Sequence, residues 1–268
     1  LRILFTNDDG IHAPGIRALW QAFAGQGDLI AVAPDEERSA TGHGITVHKP
    51  LRVESLKQYE GEVQAWSVNG TPADCIKLAF EAILTEPPDL VISGINRGPN
   101  LATDVLYSGT VSAAVESVIY GVPAIAISMA GHDSLDYQWA AKTCCFITQQ
   151  LLADTVEPHT LLNINVPVCS HELIKGIRVT RLGQRRYRNI LEKRIDPRGK
   201  SYYWIAGEVE DVVAGEGTDI AAVADSYISV TPLHFDLTDE PKITDVAAWL
   251  QKQTVAWQAY VGAHKKEG

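Results

Sequence analysis

The first ten residues, L-R-I-L-F-T-N-D-D-G, most constrain what this chain can fold into. The apolar run Ile3-Leu4-Phe5 stops at Thr6 and Asn7, followed by two adjacent carboxylates, Asp8 and Asp9, and then Gly10. A short apolar run halted by turn residues reads as a buried strand of a parallel sheet. In open α/β sheets, ligands bind beyond the carboxyl ends of the strands, which is where this acidic pair falls. Adjacent carboxylates repel one another unless a cation joins them. An oxygen-rich site of this kind suits a hard ion such as Mg²⁺, Mn²⁺ or Ca²⁺. Asp-Asp-Gly also makes an ordinary turn, so the pair alone does not define a site.

The pattern that follows alternates. Ile16, Leu19, Trp20 and Phe23 share one helical face, and Leu29 to Ala33 make a second strand ended by Pro34. A polar loop, Asp35 to Gly44, leads to β-rich segments Ile45 to Val53 and Val63 to Val68. Thr71-Pro72 opens a helix expected to run to Leu84, with proline well placed near its start. Leu90 to Ser93 is a further strand, followed by a glycine-rich stretch and a helix from Thr110 to Tyr120 that ends at Gly121. Strand Ala124 to Ser128, helix Ala140 to Leu152 and strand Leu161 to Val166 complete this part. Strands separated by helices predict an α/β fold with a doubly wound, mostly parallel sheet.

Beyond residue 170 the pattern changes, so residues 1–170 are expected to form the core and 171–268 an extension. Ile177 to Leu182 and Tyr202 to Ala206 read as strands flanking a charged stretch, Gln184 to Lys200, that holds Arg185, Arg186, Arg188, Arg194 and Arg198. Tyr227 to Thr231 reads as a strand and Ile243 to Tyr260 as one amphipathic helix. An extended hairpin here is either a solvated surface feature or an arm that reaches a partner subunit.

Composition narrows the chemistry. The chain has 268 residues, 46% of them hydrophobic, enough for a large core. Lys and Arg number 23 against 33 Asp and Glu, a net charge of −10. That argues against binding nucleic-acid polymers or anionic membranes, and a phosphorylated ligand would need a local positive centre such as a metal. Cys75, Cys144, Cys145 and Cys169 form no zinc-ligand spacing and suit a reducing compartment. With no leader pattern and no span-length apolar stretch, the expectation is a soluble, cytoplasmic protein.

Four predicted strand-end loops carry the chemistry. They are Asn7 to Gly10, Asp35 to Gly42, Ser93 to Asn100, and Tyr107 to Thr110. Ser108-Gly109-Thr110 before a helix offers free N–H groups at the positive end of the dipole, a ready anion site. Ser108 acting simply as a helix cap is the better reading of that tripeptide alone. Asn96 on its own would merely tie down its loop, and His12 and His43 are either proton donors or ordinary loop histidines. Convergence of all four loops on one sheet edge fits phosphoryl transfer. The D-x-D-x-T pattern of covalent aspartyl phosphatases is absent.

Five segments then resemble one family: Thr6 to Ile16, Ala33 to Ser39, Asn69 to Cys75, Ser93 to Asn100 and Tyr107 to Ala114. Gly217 to Asp219 and Tyr227 to Leu233 add to the match. In this order they resemble SurE, the survival protein E family of metal-dependent nucleotidases. The resemblance implies a Rossmann-like core and a C-terminal β-hairpin and helix extension exchanged between subunits in a homodimer or homotetramer. It implies hydrolysis of nucleoside 5′- and 3′-monophosphates, and of short polyphosphates in some members. Carried onto this chain, it implies one divalent ion per subunit, Mg²⁺ or Mn²⁺, on Asp8, Asp9, Ser39 and Asn96. Ser108, Gly109, Thr110 and Asn96 would hold the phosphate, with Asp8, Asp9 and Asn96 catalytic. Ser226, where the family usually has glycine, is expected to strain a C-terminal turn. The competing class is a non-catalytic nucleotide- or metal-binding regulatory α/β domain, which would not need this length or the glycine-rich loop.

Overall fold

The computed structural model describes residues 1–56, 63–133, 136–153, 157–188, 191–205 and 207–264. In chain order, β1 (Arg2–Thr6) is followed by α1 (Pro14–Ala22), β2 (Asp28–Pro34), β3 (Val53–Ser55), β4 (Gln64–Val68) and α2 (Pro72–Leu78). Then come β5 (Leu90–Arg97), α3 (Gly109–Ile119), β6 (Ala124–Ala130), α4 (Tyr137–Ala153), β7 (Leu161–Pro167) and β8 (Ile177–Val179). β9 (Gln184–Arg188), β10 (Leu191–Ile195), β11 (Ser201–Ile205) and β12 (Glu208–Val213) follow, then α5 (Asp219–Ala224) and β13 (Ile228–Pro232). A separate compact unit beginning at Phe235 contains α6 (Glu240–Lys252) and α7 (Thr254–His264).

Among the described residues the main sheet runs β3-β4-β2-β1-β5-β6-β7-β13-β8. β4, β2, β1, β5, β6 and β7 are mutually parallel, while β3 on β4 and β13 on β7 are antiparallel. From β1 the chain proceeds outward to β2 and β4, then returns to place β5 on the other side of β1. The switch point of this doubly wound α/β sheet therefore lies between β1 and β5.

Alternation along the strands divides the core in two. Ile3 and Phe5 of β1 face the layer of α1 and α4, with Ile16, Leu19, Trp20, Phe23, Ala140 and Cys144. Leu4 faces the layer of α2 and α3, with Cys75, Ile76, Val111, Ala114 and Val118. The predicted apolar face of α1 is thus buried as expected, and Cys144 and Cys145 pack as small apolar side chains. Burial pushes the Cys144 thiol up to about 12.

Several boundaries differ from the sequence reading. Residues 45–52 form no strand; the loop from Gly44 to Thr46 bonds to the start of α2 instead. Thr46 N–H donates to Asp74 Oδ1 at 2.9 Å, and Thr71 Oγ1 donates to the Gly44 carbonyl at 2.7 Å. Asp74 and the N-cap Thr71 also close a reciprocal capping box. The helix from Thr71 is regular only to Leu78 and ends in a π-turn over Ala79–Ile83. The expected strand from 177 to 182 is paired as β8 only to Val179, with an isolated bridge at Arg181. The predicted terminal helix is two helices, broken where Gln253 N–H tightens back onto the Leu250 carbonyl at 2.9 Å. The second expected strand of the arm ends at Ile205, and Ala206 lies outside the described residues.

The arginine-rich stretch forms β9 and β10, paired antiparallel with β12 and β11 as two successive ladders of one hairpin. Three of its five arginines pair with carboxylates: Arg185 with Asp104 and Asp211, Arg188 with Glu210, and Arg194 with Glu192. No helix among the described residues is long and apolar enough to cross a membrane.

Ser226 occupies the left-handed region at φ +64°. It ends α5 in a Schellman arrangement, with Tyr227 N–H donating to the Ala222 carbonyl at 2.8 Å and Ser226 N–H to the Val223 carbonyl at 3.0 Å. The sequence expectation of strain at this turn therefore holds. Replacing Ser226 with Gly is expected to stabilise the fold by about 1 kcal/mol, read as a Tm raised by roughly 2–4 °C.

Candidate active site

β1 and β5 both end at the switch point, and four loops meet there. Asn7 closes the turn after β1, its Nδ2 donating to the Gly10 carbonyl at 2.8 Å and its Oδ1 accepting from Gly10 N–H at 3.2 Å. That turn aims Asp8 at the first turn of α3. Thr110 Oγ1 donates to Asp8 Oδ1 at 2.5 Å. Close approach requires Gly109: a Cβ there would lie 2.8 Å from Asp8 Cβ and 3.1 Å from Pro72 Cγ. The Asp8 carbonyl accepts from Arg38 N–H at 2.7 Å, tying in the loop after β2. Asp9 Oδ2 accepts from Arg97 N–H at 3.1 Å, tying in the end of β5. The loop after β2 in turn reaches the segment before α3, Gly42 N–H donating to the Tyr107 carbonyl at 3.0 Å.

Both carboxyls are held above their ordinary range. Asp8 is nearly fully buried, and burial outweighs the opposing pull of the Thr110 hydroxyl. Asp9 is pushed up to about 6, first by burial and then by the charge of Asp8. Glu37 adds a weaker repulsion to each. No three His, Cys, Asp or Glu side chains among the described residues gather closely enough to hold a metal by themselves. Any ion on this pair needs neutral oxygens to complete its shell.

Asn96 lies on β5 rather than in the loop the sequence suggested. The ladder to β6 is interrupted after Ser93 and resumes at Asn96 opposite Ser128, so the strand runs through to Arg97. Its Nδ2 donates to the Gly98 carbonyl at 2.9 Å, which fixes the amide and leaves Oδ1 with no donor among the described residues. Ser39 is in the expected loop, exposed, with its hydroxyl donating to Glu37 Oε1 at 2.5 Å. Ser108 caps α3, its Oγ accepting from Val111 N–H at 3.0 Å, as the simple reading of that residue has it. Gly109 and Thr110 are the first residues of the helix, whose N–H groups lack intrahelical partners.

His43 is engaged elsewhere: its Nε2 lies 2.6 Å from Glu116 Oε2, and Lys77 Nζ lies 2.7 Å from Glu116 Oε1. Burial of Glu116 opposes its ionisation, but the His43 and Lys77 contacts prevail and hold it below the usual carboxylate range. His12 is exposed. Sequence reasoning missed Thr110 as the direct partner of Asp8, the Arg97 N–H that orients Asp9, and Glu37. Glu37 was legible in principle, two residues before Ser39; the Thr110 contact spans 102 positions and left no local signal.

These features define a class: a doubly wound α/β protein with two adjacent carboxyls at its switch point, set against a capped helix N-terminus. Residues 3–189 match the sequence model of the family described as Survival protein SurE. The chain is 63% identical over 250 residues to the 5′-nucleotidase SurE of Heliobacterium modesticaldum, covering 93% of this chain and 92% of that protein. It is 53% identical to the 5′-nucleotidase SurE of Carboxydothermus hydrogenoformans, over 94% and 97% of the two chains. The crystal structure of the SurE protein from Aquifex aeolicus superposes with a TM-score of 0.79 at 44% identity, covering 92% of this chain and 98% of that one. The chain belongs to the SurE family.

Because the folded Asp9 carboxyl titrates near 6 rather than near 3.8, its ionisation opposes folding. The stability it permits is full below about pH 4 and is lost as pH rises through about 6. In metal-free buffer Asp9→Asn is therefore expected to be more stable than the parent at pH 8, by at most about 3 kcal/mol. The two should converge at pH 4 in a denaturant series run at both pH values.

Proposed function

We propose that this chain is a nucleotidase that hydrolyses nucleoside 5′- and 3′-monophosphates to nucleoside and phosphate, with activity on short polyphosphate as an extension. The observation that carries the reading is the seating of Asp8 on the first turn of α3 beside Asp9, which puts two carboxylates and a helix N-terminus at one point. Nucleotidase activity is also what the names of the bacterial relatives state for those proteins.

The residues fit a hard divalent cation. Two carboxyls raised first by burial, and in Asp9 also by the charge of Asp8, are relieved by a positive charge, and Asn96 Oδ1 is presented by an amide already anchored through its nitrogen. Asp8, Asp9 and Asn96 would hold one Mg²⁺ or Mn²⁺, with Ser39 joining when its hydroxyl turns from Glu37. Such an ion supplies Lewis-acid polarisation of a phosphoryl oxygen and a water of lowered pKa.

The chain's own groups do the rest. Thr110 fixes Asp8, and the Arg97 N–H fixes Oδ2 of Asp9, so both carboxyls are held in place at the cleft. The N–H of Gly109, with Asn96 and the Thr110 N–H that Asp8 shares, binds the phosphoryl oxygens. In comparable sites one such donor contributes about 2.7–4 kcal/mol to the transition state. The net charge of −10 disfavours polymeric nucleic acid as substrate, leaving small nucleotides as the best-matched class, and the free cysteines suit a cytoplasmic setting.

The hairpin supports assembly with a second copy. Leu191, Ile195, Tyr203, Trp204 and Ile205 are each more than half exposed on it. Large exposed apolar groups gathered on one hairpin suit exchange between protomers of a homodimer or homotetramer. In this reading residues 1–170 form the catalytic core and 171–268 the oligomerising extension.

The deciding assay is phosphate release from a panel of 5′- and 3′-nucleoside monophosphates after chelation and again with Mg²⁺ or Mn²⁺ restored. Metal-dependent release is expected, with Asp9→Asn reducing kcat by at least about 10³-fold. Gly109→Ala should also lose activity, since its Cβ would displace Asp8. Nucleotide binding without release under any metal would favour a non-catalytic regulatory domain.

A further inference from the structure

The Gly217-Thr218-Asp219 motif lies outside the cleft, yet the Asp219 carboxylate is fully buried. Among the described residues no cation pairs with it; backbone N–H groups do. Asp219 Oδ2 accepts from Ala102 at 2.7 Å, and Oδ1 accepts from Gly183 at 2.8 Å and from Ile220 at 2.9 Å. A buried carboxylate without these donors would be costly, so the geometry is enforced from both sides. Ala102 opens the 3₁₀ turn Ala102–Leu106 that delivers the chain to Ser108, and it sits at φ +54°, a conformation L-residues rarely adopt. Gly183 is the residue immediately before β9, at the root of the hairpin.

A second set of contacts joins the same two segments. Thr103 Oγ1 donates to the Arg185 carbonyl at 2.7 Å. Arg185 Nη1 donates to Asp104 Oδ2 at 2.9 Å while its Nε donates to Asp211 Oδ1 at 2.7 Å. Tyr187 OH donates to Asp104 Oδ1 at 2.8 Å. The Arg185 and Asp104 side chains are only 10% and 14% exposed, so this is a partly desolvated, multiply bonded pair and not a surface ion pair. From Asp104 the connection continues directly: its carbonyl accepts from Tyr107 N–H at 2.9 Å, one residue before the cap of α3.

We propose that Asp219, Asp104 and Arg185 are positioning residues that clamp segment 101–107 to the root of the hairpin, so that the helix N-terminus facing the Asp pair and the arm move as one body. None of the three touches the reacting groups; they act through the placement of Gly109 and Thr110. The inference rests on the nucleotidase reading of the cleft and adds to it a coupling between the arm and phosphate binding.

The test uses the full-length protein and the variants Asp104→Asn, Arg185→Met, Arg185→Lys and the Asp104→Asn/Arg185→Met pair, with Thr103→Val as a milder probe that keeps every charge. Three quantities are measured: kcat/KM for adenosine 5′-monophosphate with Mn²⁺, the inhibition constant of inorganic phosphate, and Mn²⁺ affinity by electron paramagnetic resonance. Expected for Arg185→Met is a fall of about tenfold or more in kcat/KM with a matching rise in the phosphate constant. Mn²⁺ affinity should be unchanged, the double variant no worse than the poorer single one, and Arg185→Lys and Thr103→Val intermediate. Folded variants that stay within about twofold of wild type in both kcat/KM and phosphate constant overturn the proposal, as does a loss of Mn²⁺ affinity in step with activity. If the wild type releases no phosphate from any nucleotide, the reading of the cleft fails, and the direct comparison of phosphate affinity between wild type and Arg185→Met still decides the coupling.

Discussion

The contact between Asp8 and the first turn of α3 is the constraint on which the site depends. It joins an inner strand of the sheet to a helix that begins a hundred residues later, and it does so with a carboxyl in a place nearly sealed from water. Such a placement is tolerable because the helix N-terminus carries partial positive charge and the Thr110 hydroxyl supplies a directed donor. Gly109 is the steric condition for it, since any side chain there would occupy the volume of Asp8. Both carboxyls nonetheless stay raised, first by burial and, for Asp9, by the charge of Asp8 as well, which one helix end does not offset. That residual field is what gives the cleft an appetite for a cation.

The rest of the sheet makes this contact rigid. β1 is flanked on both sides by parallel neighbours, and both core layers close over it, so the turn at Asn7 has a fixed base. The interrupted ladder of β5 serves the same end. By resuming its pairing at Asn96, the strand carries the amide and the Arg97 N–H on sheet backbone, where a free loop would let them drift. A cleft meant to bind a small, highly charged group has little to gain from mobility, and this one is built on strand ends and a helix start.

Much of this was legible in the sequence, and the reasons differ by element. β1, β2 and β7 were readable because buried parallel strands are continuous apolar runs, and α1 because its four large residues fall on one face. Asp8 and Asp9 stood out because acids at a strand end are expensive without a purpose. The segment 45–52 misled, since its β-branched residues suggest a strand while its hydrogen bonds go to the cap of α2 through residues some 27 positions away. The break at Gln253 left no proline or glycine to announce it. Thr110, Arg97 and Asp219 were not legible in their roles because each acts across a distance in the chain that no local pattern records. Motif resemblance marked Thr110 as a phosphate-binding position, without its bond to Asp8, and Asp219 with no role at all.

Ala102 adds a consequence for how the molecule is made. Its left-handed turn is held by a carboxylate 117 residues further on. Closing so long a loop costs only slightly more than closing a short one, but it must wait until residue 219 exists. As the chain is synthesised from its N-terminus, both aspartates, the amide and helix α3 emerge well before the group that settles the approach to that helix. The sheet can therefore be largely assembled while the cleft is still unfinished, and a nascent chain carries the acidic pair for some time before it carries the geometry that puts the pair to use.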